Sequence, residues 1–303
     1  MEDQVENCEG LNMKLDTIAL LSPGDMGHWV GAVLVENSQR VITCLEGRSE
    51  RTKSLTAKAG ITAVDSYVEV VREAQMVISI MVPAEVEQAA AKVAAALEQT
   101  SEQVVYVDCN AIAPQTAKRV AAMIEGVGSH PVDAGIIGGP PRIGGSGTRY
   151  YTSGSHVAEF MRLNDYGLDV REAGAEIGQA SGLKMCYAAL TKGTAALTLE
   201  LMIAAERMGL LQALVGEWEM SQADTYQGFQ KSLPSVPTKA RRWIGEMEEI
   251  AKTFADVKLT PKIFEGAAEM YRTVGASALA VETPETFNRE RTLKQVIELL
   301  AKA

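Results

Sequence analysis

A glycine turn between two short apolar runs is the feature that most constrains how this chain can fold. Residues 17–22 are mostly apolar and are followed by Pro23-Gly24-Asp25-Met26-Gly27, after which residues 28–36 have a helical pattern. A second apolar run, residues 41–45, then ends in polar residues. Strand, glycine turn, helix and strand in this order are typical of a unit that binds a dinucleotide. The turn admits a pyrophosphate, and the helix N-terminus attracts it.

The glycine turn departs from the full dinucleotide fingerprint at one position. The fingerprint is G-x-G-x-x-G, and here Ser22 takes the first glycine position while Gly24 and Gly27 take the other two. An ordinary strand–turn–helix whose glycines relieve backbone strain is the alternative explanation. The distance of roughly 20 residues to the end of the second run favours cofactor binding. The turn residues predicted to bind the cofactor are Ser22, Pro23, Gly24, Asp25, Met26 and Gly27.

The end of the second run favours NADP over NAD as the cofactor. An NAD site places an acidic residue there for the ribose hydroxyls, whereas an NADP site places a cation beside the additional phosphate. Arg48 and Ser49 offer donors suited to a phosphate, as does Arg51 two residues later. Glu46 is the alternative, since its carboxylate could serve the ribose of NAD. We therefore predict NADP with Arg48 and Ser49 at its phosphate, and NAD as the less favoured cofactor.

Charge and apolar pattern exclude several classes of partner. The 303-residue chain has a formal net charge of −10 and no basic run interleaved with aromatic residues, so nucleic acid is not an expected partner. No apolar stretch approaches the ~20 uninterrupted residues of a membrane helix, so no membrane is expected either. Residues 1–14 are polar and acidic, which predicts a flexible N-terminal extension rather than a secretory signal. The expected compartment is the cytoplasm.

The cysteine and histidine residues show no spacing typical of a disulfide framework or a metal site. The four cysteines are Cys8, Cys44, Cys109 and Cys186, and the three histidines are scattered. Three of the cysteines lie in apolar segments, as expected for buried, reduced thiols in a cytosolic protein. No metal site is predicted.

Apolar runs and helical patterns alternate through the first half of the chain. Further strand-like runs cover residues 61–64, 76–82, 104–108, 131–134, 150–153 and 168–170. Repeated strand–helix units predict an α/β Rossmann-type, doubly wound parallel sheet over residues 15–177, with helices on both faces. Ligands of such sheets lie beyond the carboxyl ends of the strands. We expect the cofactor to be contacted there by Met81, Val82, Pro83 and Asn110.

Helical patterns replace strand patterns from about residue 178 onward. They cover residues 181–208, 211–220, 238–255, 261–273 and 293–303. This predicts an all-α C-terminal domain over residues 178–303 that binds substrate and dimerises. The stretch 188–204 is apolar nearly all round, and such a helix needs burial on several sides. A second copy of the chain would supply that burial, so we expect a homodimer through the helical domain.

Lys184 is the one cation in the otherwise apolar residues 178–187, which follow the last strand and open with a small-residue turn. A buried lysine is costly unless it is paired, and burial makes an amine able to exchange protons with a substrate. A lysine whose ammonium group reaches solvent or pairs with a backbone carbonyl is the alternative. Residue chemistry alone leaves both explanations open.

Several motifs resemble those of the β-hydroxyacid dehydrogenase family, which includes 6-phosphogluconate and 3-hydroxyisobutyrate dehydrogenases. The family's G-x-G-x-M-G falls on residues 22–27, its N-R-T of NADP users on residues 47–49, its D-x-S-T-x-x-P on residues 108–114 and its D-A-P-V-S-G-G on residues 133–139. Its catalytic helix, G-x-G-x-x-x-K-x-x-N-N, has its lysine at Lys184. The resemblance covers nearly the whole chain, and the tail around Arg242 and Trp243 resembles a divergent branch of that family. It implies a hydride transfer between nicotinamide and a substrate carbon, with Lys184 handling the hydroxyl proton.

The chain departs from the family pattern where the substrate should bind. Ile137 replaces the expected serine, and Tyr187 replaces the first asparagine after the lysine. Each lost donor leaves a polar substrate group unpaired, at a cost of ~1–3 kcal/mol. We therefore expect a carbonyl, alcohol or imine compound that is not a simple short hydroxy acid. The residues predicted to bind it are Ile137, Gly138, Gly139 and Tyr187.

Three other functions compete with a carbonyl reductase or alcohol dehydrogenase. An imine reductase of the same architecture is one, although such relatives usually replace the lysine that Lys184 retains here. A non-catalytic NADP-binding protein is the second, and it would have no need of a proton donor. A helical interaction module fused to a Rossmann domain is the third, and it predicts a large exposed apolar patch. One fold hosts many functions, so the fold alone does not choose among them.

Overall fold

A single sheet of eight strands forms within the residues that the structure describes. The computed structural model describes residues 15–145, 147–283 and 285–302, so the predicted N-terminal extension and Cys8 lie outside the described residues. The strands are β1 (Thr17–Leu21), β2 (Arg40–Cys44), β3 (Thr62–Val64), β4 (Met76–Ser79), β5 (Val105–Asp108), β6 (His130–Ile137), β7 (Arg149–Ser153) and β8 (Val170–Gly174). Their spatial order is β3-β2-β1-β4-β5-β6-β7-β8. Neighbouring strands are parallel except β6 and β7, which are antiparallel.

Helices cover both faces of this sheet. They are α1 (Gly27–Glu36), α2 (Glu50–Lys58), α3 (Tyr67–Glu73), α4 (Val86–Thr100), α5 (Pro114–Glu125) and α6 (Val157–Met161). In β1, Ile18 and Leu20 belong to a core cluster with residues of α1 and α6, whereas Ala19 and Leu21 belong to a second cluster with residues of α3, α4 and α5. Successive strand residues face opposite sides of the sheet, so burial on both faces explains the continuous apolar run of β1. The predicted doubly wound α/β fold is confirmed.

Several predicted boundaries in the sheet region are wrong. β4 ends at Ser79, so residues 80–82 follow the strand rather than belong to it. β6 continues to Ile137, three residues beyond the prediction, because its extension pairs with β7 through Gly135 and Ile137. β8 begins at Val170, two residues later than predicted. The sequence analysis assigned no helix to α2 or α6, because both are short and α2 is largely polar.

The chain divides into two compact units, of which the first ends at Lys184 and the second begins at Met185. The long helix α7 (Gln179–Arg207) begins one residue after the predicted start of the helical domain. The other α-helices of the second unit are α8 (Leu211–Ser221), α9 (Ala223–Ser232), α10 (Pro237–Asp256), α11 (Lys262–Ala276) and α12 (Leu293–Ala301). Its described residues contain no strand, so the predicted all-α region is confirmed. The sequence analysis assigned no helix to α9, whose polar sequence lacks a strong apolar period.

A buried ion pair and an aromatic contact hold the second unit together. The Lys192 ammonium in α7 donates to the Glu246 carboxylate in α10, and both side chains are about one-tenth exposed. The Tyr271 hydroxyl in α11 donates to the Lys192 carbonyl oxygen at 2.7 Å, and its ring meets Trp243 edge-on at 5.3 Å. Met247 and Ile250 of α10 are fully buried, so this face of the helix packs in the core. Removing one partner of such a buried ion pair would leave an uncompensated charge.

The helix α7 bears on the expectation that the chain does not enter a membrane. This 29-residue helix is long and apolar enough to cross a bilayer by length and composition alone. Over half of its most apolar window, 56%, is buried inside the protein. A core helix of a soluble protein passes the same test, and the buried ion pair of Lys192 agrees with that explanation.

Candidate active site

The glycine turn after β1 has the close backbone contacts that its sequence predicts. Ser22 adopts a left-handed conformation with φ of 59°, and the Gly24 N–H donates to the Ser22 carbonyl oxygen at 2.7 Å. A Cβ on Gly27 would lie 3.0 Å from that same oxygen, so glycine lets α1 start close against the strand. Pro23 is buried, and Met26 packs on the core cluster beneath α1. A serine in the left-handed region costs about 1–2 kcal/mol, which glycine would not incur.

The first turn of α1 leaves its N-terminus open to an anion. No side chain caps this helix, and its first turn contains no acidic residue. The His28 Nδ1 lies 2.6 Å from the Gly24 carbonyl oxygen, and this contact joins the first turn of α1 to the glycine turn. Burial lowers the pKa of His28, which favours the neutral imidazole in this position. The His28 N–H donates to the Gly24 carbonyl oxygen and the Trp29 N–H to the Met26 carbonyl oxygen, so the helix dipole rather than these two groups would attract a pyrophosphate.

The end of β2 lies beside this glycine turn. The Arg51 guanidinium donates to the Asp25 carboxylate at 2.6 Å, which joins the loop after β2 to the turn after β1. Gly47 adopts a φ of 68°, and the Arg48 side chain that follows has a buried Nε with no hydrogen-bond partner among the described residues. Ser49 caps α2 by accepting a bond from the Thr52 N–H at 3.2 Å. The loop thus offers an unsatisfied guanidinium nitrogen where the sequence predicted a phosphate.

Asn110 joins the ends of β4 and β5 rather than reaching outward. It is 2% exposed, and its Oδ1 accepts the Met81 N–H at 2.6 Å. Its Nδ2 donates to the Ser79 Oγ at 2.9 Å and to the Asp108 Oδ1 at 2.7 Å. Its amide group is therefore used inside the protein, and its contribution is to hold the loop after β4 in place. In that loop Met81 and Pro83 are half-buried and Val82 is exposed.

The Asp133 carboxylate fastens the start of α7 to β6. Its Oδ2 accepts the Gly178 N–H at 2.9 Å, the Ser181 N–H at 3.0 Å and the Ser153 hydroxyl at 2.9 Å. Its Oδ1 accepts the Ser181 hydroxyl at 2.5 Å. The Ser153 Oγ in turn accepts the Ala180 N–H at 3.0 Å. A negative charge at a helix N-terminus is favourable, and a buried carboxylate requires such donors. From the sequence Asp133 was noted only as part of a motif, and this role was missed.

Lys184 lies at the carboxyl end of β6. Its Nζ donates to the Ile136 carbonyl oxygen at 2.5 Å, and the side chain is half-buried. Gly135 makes the approach possible, because a Cβ there would lie 2.7 Å from the Lys184 Cβ and 3.0 Å from the Ala180 carbonyl oxygen. The backbone of β6 therefore orients Lys184, and Asp133 of the same strand binds the start of α7, the helix that carries Lys184.

The predicted substrate residues have different surroundings. Ile137 is 4% exposed and forms the last residue of β6, whereas Tyr187 lies in the second unit and is 44% exposed. Gly138 has a φ of 121°, and a Cβ there would lie 2.4 Å from the Gly147 carbonyl oxygen, so only glycine fits. Gly139 has open space where a Cβ would project. The structure thus leaves backbone, rather than side chains, exposed at the start of this loop.

A second buried carboxylate, Asp108, lies next to Asp133 across the paired strands β5 and β6. Asp108 is 4% exposed, and its Oδ2 has no hydrogen-bond partner among the described residues. It lines a cavity the size of one water molecule together with Tyr106 and Asp133. Burial, aided by the Asp133 charge, raises the pKa of Asp108 to about 7. Asp108 is therefore held as a neutral acid under mildly acidic conditions.

This raised pKa predicts a pH-dependent stability. The folded protein holds a proton on Asp108 that the unfolded chain releases near the ordinary aspartate pKa, so stability falls as pH rises from about 4 to about 7. Replacing Asp108 by asparagine, which mimics the protonated acid, should remove that part of the slope. Between about pH 5 and pH 8 the unfolding free energy of the wild type should fall by about 2–3 kcal/mol relative to Asp108→Asn.

Urea unfolding at several pH values measures this difference. Asp256→Asn, which alters an exposed carboxyl of the second unit, is the matched control and should leave the slope unchanged. Parallel pH profiles of wild type and Asp108→Asn would contradict the raised pKa.

No group of three or more histidine, cysteine, aspartate or glutamate side chains that could hold a metal ion occurs within residues 15–145, 147–283 and 285–302. The thiols of Cys44 and Cys109 are buried as expected, whereas the expectation of a buried thiol is wrong for Cys186, which is exposed, and none of these three forms a disulfide. Burial raises the pKa of Cys109, so its thiol is protonated at neutral pH.

Comparisons with known proteins agree with this architecture. The NAD binding domain of 6-phosphogluconate dehydrogenase matches residues 17–161, and a domain of unknown function, DUF1932, matches residues 205–274. The conserved protein MTH1747, whose structure reveals similarity with 3-hydroxyacid dehydrogenases, is 30% identical, with a TM-score of 0.62 and coverage of 86% of this chain and 100% of that one. The uncharacterized 28.5 kDa protein in the 7S RNA 5′ region of Methanothermus fervidus is 28% identical over 235 residues, which are 77% of this chain and 89% of that protein.

A more distant likeness extends to a characterised dehydrogenase. The Mycobacterium tuberculosis 3-hydroxyisobutyrate dehydrogenase, solved with L-serine, is 20% identical, with a TM-score of 0.65 and coverage of 87% of this chain and 94% of that one. At this identity the likeness concerns the fold. Fold and motifs together define an NAD-binding protein of the dehydrogenase class. The chain belongs to the β-hydroxyacid dehydrogenase-like family.

Proposed function

We propose that this protein is an NADP-dependent oxidoreductase that transfers a hydride between nicotinamide and a carbonyl/alcohol substrate, with Lys184 as general acid/base. The observation that carries the proposal is the bond from the Lys184 Nζ to the Ile136 carbonyl oxygen at the carboxyl end of β6. Ligands of a doubly wound sheet bind at this edge, where the glycine turn after β1 also lies. A proton donor and a dinucleotide turn at the same edge are the parts that hydride transfer to a carbonyl requires.

Lys184, Ile136 and Asp133 have separate roles in the proposed reaction. Bound NADPH would supply the hydride to the carbonyl carbon. Lys184 would donate a proton to the oxygen that becomes the alcohol hydroxyl, and in the reverse direction it would accept that proton. The Ile136 carbonyl orients the ammonium group, and Asp133 fixes the helix that carries it. Positioned proton transfer of this kind contributes about 10²–10⁴-fold to a rate.

The substrate proposed here is not a simple short hydroxy acid. The side chain of Ile137 is buried and apolar, so this position offers no donor to a substrate carboxylate. An imine is the second candidate, because it needs a proton donor at nitrogen but no carboxylate contact. The free thiols of Cys44, Cys109 and Cys186 suit a reducing compartment, and we propose the cytoplasm.

Replacing Lys184 should separate chemistry from cofactor binding. Lys184→Met keeps the length of the side chain and removes the ammonium group, so we expect kcat to fall about 10²–10⁴-fold. The Kd for NADPH should stay within about three-fold, because the lysine bonds to the Ile136 carbonyl oxygen of β6. The readout is NADPH oxidation with the fastest carbonyl or imine compound found by screening, alongside a fluorescence titration of the cofactor.

Lys262→Met is the control, since Lys262 is an exposed residue of α11. A rate for Lys184→Met close to that of this control would remove Lys184 from the mechanism.

The preference for NADP rests on the loop after β2. The Arg48 Nε is buried without a hydrogen-bond partner, and a bound 2′-phosphate would supply the missing acceptor. The Ser49 hydroxyl, which caps α2, is exposed and adjacent. Glu46 is also exposed and would serve NAD instead. The unsatisfied guanidinium nitrogen supports NADP, because an orphaned buried donor is costly in the absence of a ligand.

Arg48→Gln should therefore weaken NADPH binding far more than NADH binding. A charged hydrogen bond is worth about 1.5–3 kcal/mol, so the Kd for NADPH should rise about ten-fold or more while that for NADH changes little. Fluorescence titrations with both cofactors measure the ratio. Arg40→Gln, at the opposite end of β2, is the charge-matched control. Equal effects of Arg48→Gln on both cofactors would transfer the preference to Glu46.

A homodimer is proposed from one face of α7. Tyr187, Leu190, Thr194, Leu197 and Leu201 follow one another at intervals of three and four residues, the spacing of a helix–helix seam. Leu190, Leu197 and Leu201 are 72%, 57% and 46% exposed in the isolated chain. Such a stripe on a long helix is a site of association, because solvated leucines gain about 1.5–3 kcal/mol each on burial.

Leu190→Glu should dissociate the proposed dimer. A carboxylate in the centre of the seam would be desolvated opposite its own copy, so the monomer should dominate at micromolar concentration. Size-exclusion chromatography with light scattering measures the mass. Ile263→Glu is the matched control, because Ile263 is 66% exposed on α11 outside the stripe. A wild-type mass of about 32 kDa, that of one chain, would contradict the proposal directly.

A further inference from the structure

The loop between β6 and β7 carries an arginine that the family resemblance does not assign. The Arg142 guanidinium carbon lies 4.2 Å from the centre of the Trp29 ring. Trp29 is the third residue of α1, the helix that follows the glycine turn. Arg142 is exposed, and it forms no ion pair with the described residues. Arg142 thus places a cation beside the dinucleotide turn with no carboxylate partner among the described residues.

The loop holds Arg142 over α1 by contacts at its base. Its two ends meet at Gly138, where a Cβ would lie 2.4 Å from the Gly147 carbonyl oxygen, and at Thr148, whose hydroxyl donates to the Gly139 carbonyl oxygen at 2.7 Å. The Gly145 N–H donates to the Arg142 carbonyl oxygen at 2.8 Å and turns the tip of the loop. The base is therefore fixed to β6, and the tip reaches the first turn of α1.

Stacking on an indole prepares a guanidinium for an anion. The Arg142 guanidinium carbon lies over the Trp29 ring, and a guanidinium held in this way keeps its N–H donors in its own plane and available to a ligand. This fork matches two oxygens of a phosphate or carboxylate. The adjacent helix start has no capping side chain and no acidic residue in its first turn, and the Asp25 carboxylate of the preceding turn is bound by Arg51.

The same loop lacks the donor that the family pattern places at its beginning. Ile137 replaces the expected serine and is buried in β6. A guanidinium five residues later would restore anion recognition with a longer side chain. A short stack of this kind contributes only about 0.5–1 kcal/mol at an exposed site, so loop stability alone is a weak reason for it.

We propose that Arg142, stacked on Trp29, binds an anionic group of the ligand at the dinucleotide turn, either the cofactor pyrophosphate or a substrate phosphate or carboxylate. The inference rests on the proposed oxidoreductase function for the identity of the ligand. The existence of the anion site is independent of that function and can be tested without nicotinamide chemistry.

Arg142→Gln, Arg142→Lys and Trp29→Leu test the proposal, with Arg119→Gln as charge-matched control on the exposed face of α5. Three titrations are compared: NADPH into the free protein, inorganic pyrophosphate into the free protein, and inorganic phosphate or acetate into the NADPH complex. Arg142→Gln should weaken the binding of the anion that Arg142 contacts about ten-fold or more. Arg142→Lys should recover part of that affinity. Trp29→Leu should weaken it about two- to five-fold, because the stack only orients the fork.

The pattern identifies the source of the anion. Weaker binding of NADPH and pyrophosphate assigns Arg142 to the cofactor. Unchanged NADPH binding with weaker phosphate or acetate binding to the complex assigns it to the substrate. If Arg142→Gln matches Arg119→Gln in all three titrations, the proposal is overturned. Absence of NADPH binding to the wild type would instead contradict the proposed function, while the pyrophosphate titration would still decide the anion site.

Discussion

The Asp133 carboxylate is the interaction on which the candidate site depends. It accepts four hydrogen bonds, from Gly178, from Ser181 twice and from Ser153, while almost wholly buried. A buried carboxylate with charge-assisted bonds to a helix start is stabilised both by the donors and by the helix dipole. The start of α7 is thereby fixed to β6, and Gly135 lets the helix approach until Lys184 reaches the Ile136 carbonyl.

Parallel strands explain why separate segments converge on one edge. β1, β2, β4, β5 and β6 run in the same direction, so the residues that follow them meet at the carboxyl edge of the sheet. The Arg51–Asp25 ion pair and the Asn110 bonds join adjacent loops there directly. The glycine turn, Arg48 and Lys184 therefore lie at one edge because of the sheet topology and not because they are close in sequence.

Local sequence patterns predicted much of the fold and few of the hydrogen bonds between distant residues. The apolar runs of β1 and β2 and the glycine turn after β1 were evident, because each depends on a few consecutive residues. The polar helix α2 and the extension of β6 were not, since they depend on capping and on pairing with β7. The bonds of Asp133 join residues 20–48 positions apart, and no local pattern reveals such partners. Asn110 was correctly placed at a strand end, but its burial was unexpected.

The most direct test of the account is a fluorescence titration of the purified wild-type protein with NADPH and with NADH. The account predicts that both bind and that NADPH binds about ten-fold or more tightly, because the unsatisfied Arg48 nitrogen finds its acceptor only in the 2′-phosphate. Absence of binding by either nucleotide would contradict the proposed oxidoreductase function. Tighter binding of NADH would contradict the role given to Arg48.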